Sequence, residues 1–144
     1  MIRVLIPYDK EFTKYYKECK KLYENSQSSI CDTNSFEFIT QNTFFYMFLT
    51  DNTLIGAIYF FLDKENKLFL NGFAKRKMFA LNLECLKLSL TWFNCDIYAQ
   101  AQNRASALCL LKCGFKRTKQ NIFIKTIQQA QNWEQRSRKE KHGI

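Results

Sequence analysis

Two apolar runs set back to back constrain this chain more than any other feature. Residues 43–50 read TFFYMFLT and residues 53–62 read TLIGAIYFFL, with Asp51 and Asn52 between them. Both runs are rich in aromatic and β-branched side chains, which fit a pleated, half-buried surface. A two-residue polar pair between such runs predicts an antiparallel hairpin. A second polar turn, DKENK at 63–67, leads to LFLNGFA at 68–74, so a three-strand meander is expected.

The flanking segments carry helical periodicity. Phe12, Tyr15, Tyr16, Cys19, Leu22 and Tyr23 recur at three- and four-residue steps, with lysines between them. That spacing predicts an amphipathic helix from Lys10 to Glu24, with Asp9 as its N-cap. Before it, residues 2–6 (IRVLI) read as a short strand ended by Pro7. Residues 25–42 are rich in Ser, Asn, Gln and Thr and read as a loop, with a short helix around 35–39. After Lys75, Arg76 and Lys77, the spacing of Leu83, Leu86 and Leu90 predicts a helix over about 79–93, apolar enough to be well buried. Residues 95–101 read as a strand. Asn103 can cap a helix through Ala105, Leu108, Cys109 and Leu111, and Gly114 is the natural residue to stop it. Ile122, Phe123, Ile124 and Ile127 form a last strand.

The expected order is β-α-β-β-β-α-β-α-β. A strand–helix–strand crossover over 68–101 implies one parallel pair in a mostly antiparallel sheet. The fold class is α/β (α+β): a mixed central sheet of about six or seven strands flanked by helices. One domain spans 1–127, and 128–144 form a basic, polar C-terminal tail.

Composition narrows the function classes. A chain of 144 residues, 47% apolar and 16% aromatic, can bury one core without disulfides or a metal. The six cysteines include no CxxC pair, and the only histidine is His142, so no zinc site is expected. No export signal and no run of about 18 apolar residues occur, so a cytoplasmic protein with reduced cysteines and no membrane span is expected. The net charge of +9 fits a solvated surface, a polyanionic cofactor or a nucleic acid. The basic residues are scattered apart from 75–77 and the tail, so nucleic acid ranks last.

The stretch NRASALCLLKCGFKRT, residues 103–118, resembles the late segment of the acyl-CoA N-acyltransferase (GNAT) superfamily. There an Asn opens a helix of small residues that runs into a Gly-Phe pair and the next strand. Here those positions are Asn103, Ala105, Ala107, Leu111, Gly114 and Phe115. TLIGAIYFF, with Gly56 as its small residue, resembles the family's third strand, and the element order agrees over most of the chain. The resemblance implies two neighbouring parallel strands that splay apart, leaving backbone N–H groups for the pantetheine and thioester carbonyl of an acyl-CoA. On this sequence the donors would come from Phe69 to Phe73, which makes Leu70, Asn71, Gly72 and Phe73 candidate cofactor-binding residues, with Asn103. The pyrophosphate would sit at the N-terminus of the following helix, beside Lys75, Arg76 and Lys77. The implied co-substrate is acetyl-CoA, and the implied activity is acetyl transfer to an amine-bearing acceptor.

Two departures from the family pattern stand out. Phe79 and Leu81 occupy positions of the phosphate loop where the family carries small residues. Lys75, Arg76 and Lys77 could grip phosphates by charge, or form only a solvated basic turn. Leu110 stands where many members place a tyrosine that protonates the leaving thiolate. Tyr98 and Cys109 are candidate substitutes for that acid, and Glu84 and Asp96 are candidate general bases; Tyr98 and Glu84 are the favoured catalytic pair. The departures also leave open a second reading. It is a catalytically inactive GNAT-fold binding or assembly protein, of the kind associated with phage particles. On either reading a homodimer or larger assembly is open.

Overall fold

The hairpin forms as the two apolar runs require. Strand β2 (Phe44–Thr50) pairs antiparallel with β3 (Thr53–Leu62), and Asp51 takes a left-handed conformation (φ 51°) in the turn. In this computed structural model, which describes residues 1–119 and 121–127, β3 continues the meander into β4 (Leu68–Ala74). Phe48 faces Gly56 while Leu49 faces Leu54, so Ile55 is a bulged extra residue. Gly56 permits a close approach of β3 to β4. A Cβ there would lie 2.1 Å from the Phe73 carbonyl oxygen and 2.6 Å from Ala74 Cα.

The other strands are β1 (Ile2–Leu5), β5 (Ile97–Gln100), β6 (Lys116–Lys119) and β7 (Ile122–Lys125). Together they make one seven-stranded sheet in the order β1-β2-β3-β4-β5-β7-β6. Among the described residues only the β4–β5 pair is parallel, as the crossover predicts. The architecture is thus the mixed, mostly antiparallel α/β sheet expected.

Side chains alternate between the two faces of each strand, and each face is covered by its own helices. On one face, α1 (Phe12–Ile30) and α2 (Phe36–Asn42) bury Phe12, Cys19, Tyr23 and Phe36 against Phe45, Met47, Tyr59 and Phe73. On the other, α3 (Phe79–Leu90) and α4 (Arg104–Lys112) bury Cys85, Leu86, Cys109 and Leu110 against Phe48, Ile58, Ile97 and Ala99.

Several local expectations need correction. Helix α1 runs on to Ile30, through the polar stretch that reads as loop. Asp9 does not cap it: the Asp9 carboxylate accepts the Ile6 N–H at 2.8 Å and closes the turn after β1. Helix α3 stops at Leu90 and buries only the stripe Cys85, Leu86, Ser89 and Leu90, leaving Phe79 and Leu88 38% exposed, so it is a surface helix. It is preceded by a single 3₁₀ turn, Arg76–Met78. Strand β6 has no apolar alternation and escapes sequence reading, because all four of its residues are exposed at the sheet edge. The tail at 128–144 lies outside the described residues. Among those described, no helix is long and apolar enough to cross a membrane.

Candidate active site

Strands β4 and β5 pair over only three positions: Leu68 with Ile97, Phe69 with Tyr98, and Leu70 with Ala99. Beyond them β4 continues through Asn71–Ala74 without a partner on that side. The Lys75 N–H donates to Ile55 O at 2.9 Å. Amides alternate along a strand, so those of Phe73 and Asn71 also face β3, and those of Gly72 and Ala74 face the gap. The Gly72 N–H is met there by the Asn71 side-chain oxygen, Oδ1, at 2.9 Å. The Asn71 Nδ2 in turn donates to Ile30 O, a C-terminal carbonyl of α1, at 3.2 Å.

Two cavities meet at this parting. The first, of about 170 Å³, lies on the α3/α4 side and includes Ile58, Leu70, Gly72, Leu86, Ala99 and Leu110 in its wall. The second, of about 240 Å³, lies on the α1 side and includes Cys31, Asp32, Asn34, Phe61 and Phe69. Ile30, Leu70, Asn71 and Gln100 belong to both walls. The sheet is therefore breached between its faces where the parallel strands separate.

The sequence-derived candidates distribute unevenly around this breach. Leu70, Asn71 and Gly72 line the first cavity. Phe73 does not, because strand alternation turns its ring to the α1 face, where its centroid lies 5.5 Å from that of Tyr23. Asn103 caps α4, its Oδ1 accepting the Ser106 N–H at 2.8 Å, and stands outside the wall that Gln102, Ala105 and Ser106 build. Lys75 pairs with Glu18 at 2.9 Å, which ties the basic turn to α1. Arg76 and Lys77 are exposed in the 3₁₀ turn that leads into α3. Phe79 borders the first cavity, with Lys112 Nζ 5.8 Å from its ring centre, whereas Leu81 packs against the core.

The candidate acids and bases also separate. Tyr98 stacks on Phe69 (centroids 5.4 Å apart) beneath Lys67 and lines neither cavity. Glu84 is exposed on α3, outside both walls. Asp96 is engaged structurally, accepting the Ile127 N–H at 2.8 Å. Leu110 and Cys109 do line the first cavity, and burial pushes the Cys109 thiol up, so it stays protonated.

Sequence reading missed Asp32. It sits in the short connection between α1 and α2, after Cys31, which closes α1 in a left-handed conformation (φ 51°). The Tyr59 hydroxyl, on a fully buried ring, donates to Asp32 Oδ2 at 2.6 Å. Asn34 donates both its N–H and its Nδ2 to Asp32 Oδ1 at 2.9 Å. Burial first, then the bond to Asp32, pushes the Tyr59 phenol well above its ordinary range, so it remains a donor. The signal that could have found Asp32 is weak: one acid in a polar segment, joined to a tyrosine 27 residues away.

No family model matches this sequence. No curated protein matches it either. Solved structures do. The chain is similar to an N-acetyltransferase from Staphylococcus aureus Mu50, with 13% identity, a TM-score of 0.64, and coverage of 88% of this chain and 98% of that one. It is similar to a probable acetyltransferase from Staphylococcus epidermidis, with 12% identity, a TM-score of 0.61, and coverage of 88% and 99%. It is also similar to the aminoglycoside acetyltransferase AAC(6')-Ib solved with coenzyme A and kanamycin, with 12% identity, a TM-score of 0.62, and coverage of 89% and 96%. With the element order, the single parallel pair and its parting all in agreement, this chain has the GNAT fold.

Proposed function

We propose that the protein is an acyl-CoA-dependent N-acyltransferase that transfers acetyl from acetyl-CoA to an amine. One observation carries this reading. The β4–β5 pair ends at Leu70 and Ala99, and a cavity on each face of the sheet meets the other there. A thioester in the first cavity and an amine in the second would face each other across that wall.

The chemistry needs little more than position. The pantetheine arm lies along the unpaired edge of β4, where the Gly72 and Ala74 amides face the gap. The pyrophosphate lies at the start of α3, near Arg76 and Lys77, where amide donors and positive charge coincide. The neutral amine attacks the thioester carbon, forming a C–N bond as the C–S bond breaks. Nitrogen loses one proton and the departing sulfur gains one. An amide donor on the carbonyl oxygen stabilises the charge that develops there, and holding both reactants removes most of the entropic barrier. Leu110 cannot supply the proton; Cys109, protonated and in the same wall, is the nearest counterpart.

Calorimetry with acetyl-CoA tests the reading. Binding is expected for the wild-type chain and lost in Ala105→Trp, which fills the mouth of the first cavity from an exposed helix position. No heat at high micromolar acetyl-CoA would overturn it.

A further inference from the structure

The second cavity differs from the first in chemistry. Among the described residues, Asp32 is the only charged side chain in its wall, and the first cavity has none. On a chain of net charge +9, this carboxylate has no Lys or Arg partner among the described residues. Its three hydrogen bonds come from neutral donors, Tyr59 and Asn34. These bonds use three of the roughly four acceptor positions of a carboxylate, with the Tyr23 hydroxyl, which donates to Asn34 O at 2.6 Å, close beside them.

Beside it runs a shelf of aromatic rings across three strands. Tyr59 and Phe61 lie 6.2 Å apart by centroid, Phe61 and Phe69 6.0 Å, and Phe69 and Tyr98 5.4 Å. The last two pairs are stacked, with interplanar angles of 17° and 28°. Tyr59 is fully buried, but Phe61, Phe69 and Tyr98 are only partly covered, and Phe61 and Phe69 line the cavity. An aromatic floor with one fixed negative charge at its edge matches a cation carried on a flat apolar body. A cavity of roughly 150 Å³ holds a benzene ring; this one, about 240 Å³ with a wall part aromatic and part polar, has room for a ring and a short aminoalkyl arm.

We infer that the second cavity takes a primary arylalkylamine, its ammonium on Asp32 and its ring against Phe61 and Phe69. The inference rests on the acyltransferase reading for what happens next, because the amine would lie across the Leu70, Asn71 and Gln100 wall from the thioester. It also makes Asp32 the residue that selects cations over neutral or acidic acceptors.

Binding to the full chain, without acetyl-CoA, tests it. Phenethylamine, butylamine and 3-phenylpropionate are compared by calorimetry and ligand-observed NMR, with acetyl-CoA titrated in parallel. Phenethylamine is expected to bind, butylamine to bind several-fold more weakly, and 3-phenylpropionate not to bind. Asp32→Asn is expected to weaken phenethylamine by about tenfold or more, as loss of a charge-assisted hydrogen bond does. Phe69→Leu, which keeps bulk but removes the ring, is expected to weaken phenethylamine while leaving butylamine unchanged. Equal affinity for the three probes, or no effect of either variant, would overturn the inference. If acetyl-CoA binds and phenethylamine does not, the amine site fails and the acyltransferase reading stands. If phenethylamine binds and acetyl-CoA does not, the reverse holds.

Discussion

Asn71 accepts the N–H of its own neighbour Gly72 at 2.9 Å, at the point where β4 has lost its partner strand. The side chain thereby occupies a backbone donor that an acyl-CoA carbonyl would use. Its Nδ2 is spent on Ile30 O, so the carboxamide is held from both ends. Asn71→Ala frees the donor and removes one anchor of α1. Acetyl-CoA is expected to bind roughly fivefold more tightly, the worth of one hydrogen bond of about 1 kcal/mol, while the melting temperature falls. Calorimetry and a thermal melt on the same preparation measure both.

Gly56→Ala places a methyl group 2.1 Å from the Phe73 carbonyl oxygen, on backbone that cannot yield without separating β3 from β4. A loss of about 3 kcal/mol is expected, as for overpacking in a closed interior. Urea unfolding gives the value. A loss below about 0.5 kcal/mol, the scale of an ordinary surface change, would overturn the close approach of β3 to β4 at Gly56.

Asn103→Ala removes the cap of α4, since only Oδ1 meets the Ser106 N–H. The expected cost is about 1 kcal/mol, with Asn103→Asp retaining most of the stability because aspartate also caps. Asn103 stands outside the cavity wall, so acetyl-CoA affinity should follow stability and show no specific loss.

High pH should unfold the protein earlier than free side chains would suggest. Burial, then the charge of Glu84, raises the Cys85 thiol from 9.0 to about 12. Burial, then Asp32, raises the Tyr23 phenol from 10.0 to about 12. Burial likewise raises Cys19 and Tyr59. In each case the folded state holds a proton that the unfolded chain releases. The stability they contribute is complete below about pH 9 and is lost as pH rises toward 12. A denaturation midpoint followed from pH 8 to pH 11.5 should fall continuously above pH 9.

How much of this was legible in sequence depends on how locally each feature is encoded. The hairpin, the meander and the capped helix α4 announce themselves because adjacent residues carry the pattern: apolar runs around Asp51-Asn52, and Asn103 with Gly114 bracketing small residues. The second half of α1 escapes sequence reading because NSQSS carries no apolar stripe. Its polar face is satisfied by particular bonds such as Ser26 to Leu22 O and Gln27 to Asp32 O. Strand β6 was missed because four exposed residues at an edge give no alternation to read. Leu70, Asn71 and Gly72, which line the first cavity, are candidates through resemblance to a known strand. Asp32 did not, since its role depends on Tyr59, distant in sequence and adjacent only after the sheet forms. Glu84 is a candidate only by its position along the chain, and α3 leaves it exposed.

The breach at Leu70 and Gln100 also bears on the order of events. The two cavities share Ile30, Leu70, Asn71 and Gln100 and otherwise have different linings. If the chain transfers acyl groups as proposed, those separate linings let both reactants be held at once. Steady-state rates measured against both substrates should give intersecting reciprocal plots, the mark of a ternary complex, with no covalent acyl-protein to trap.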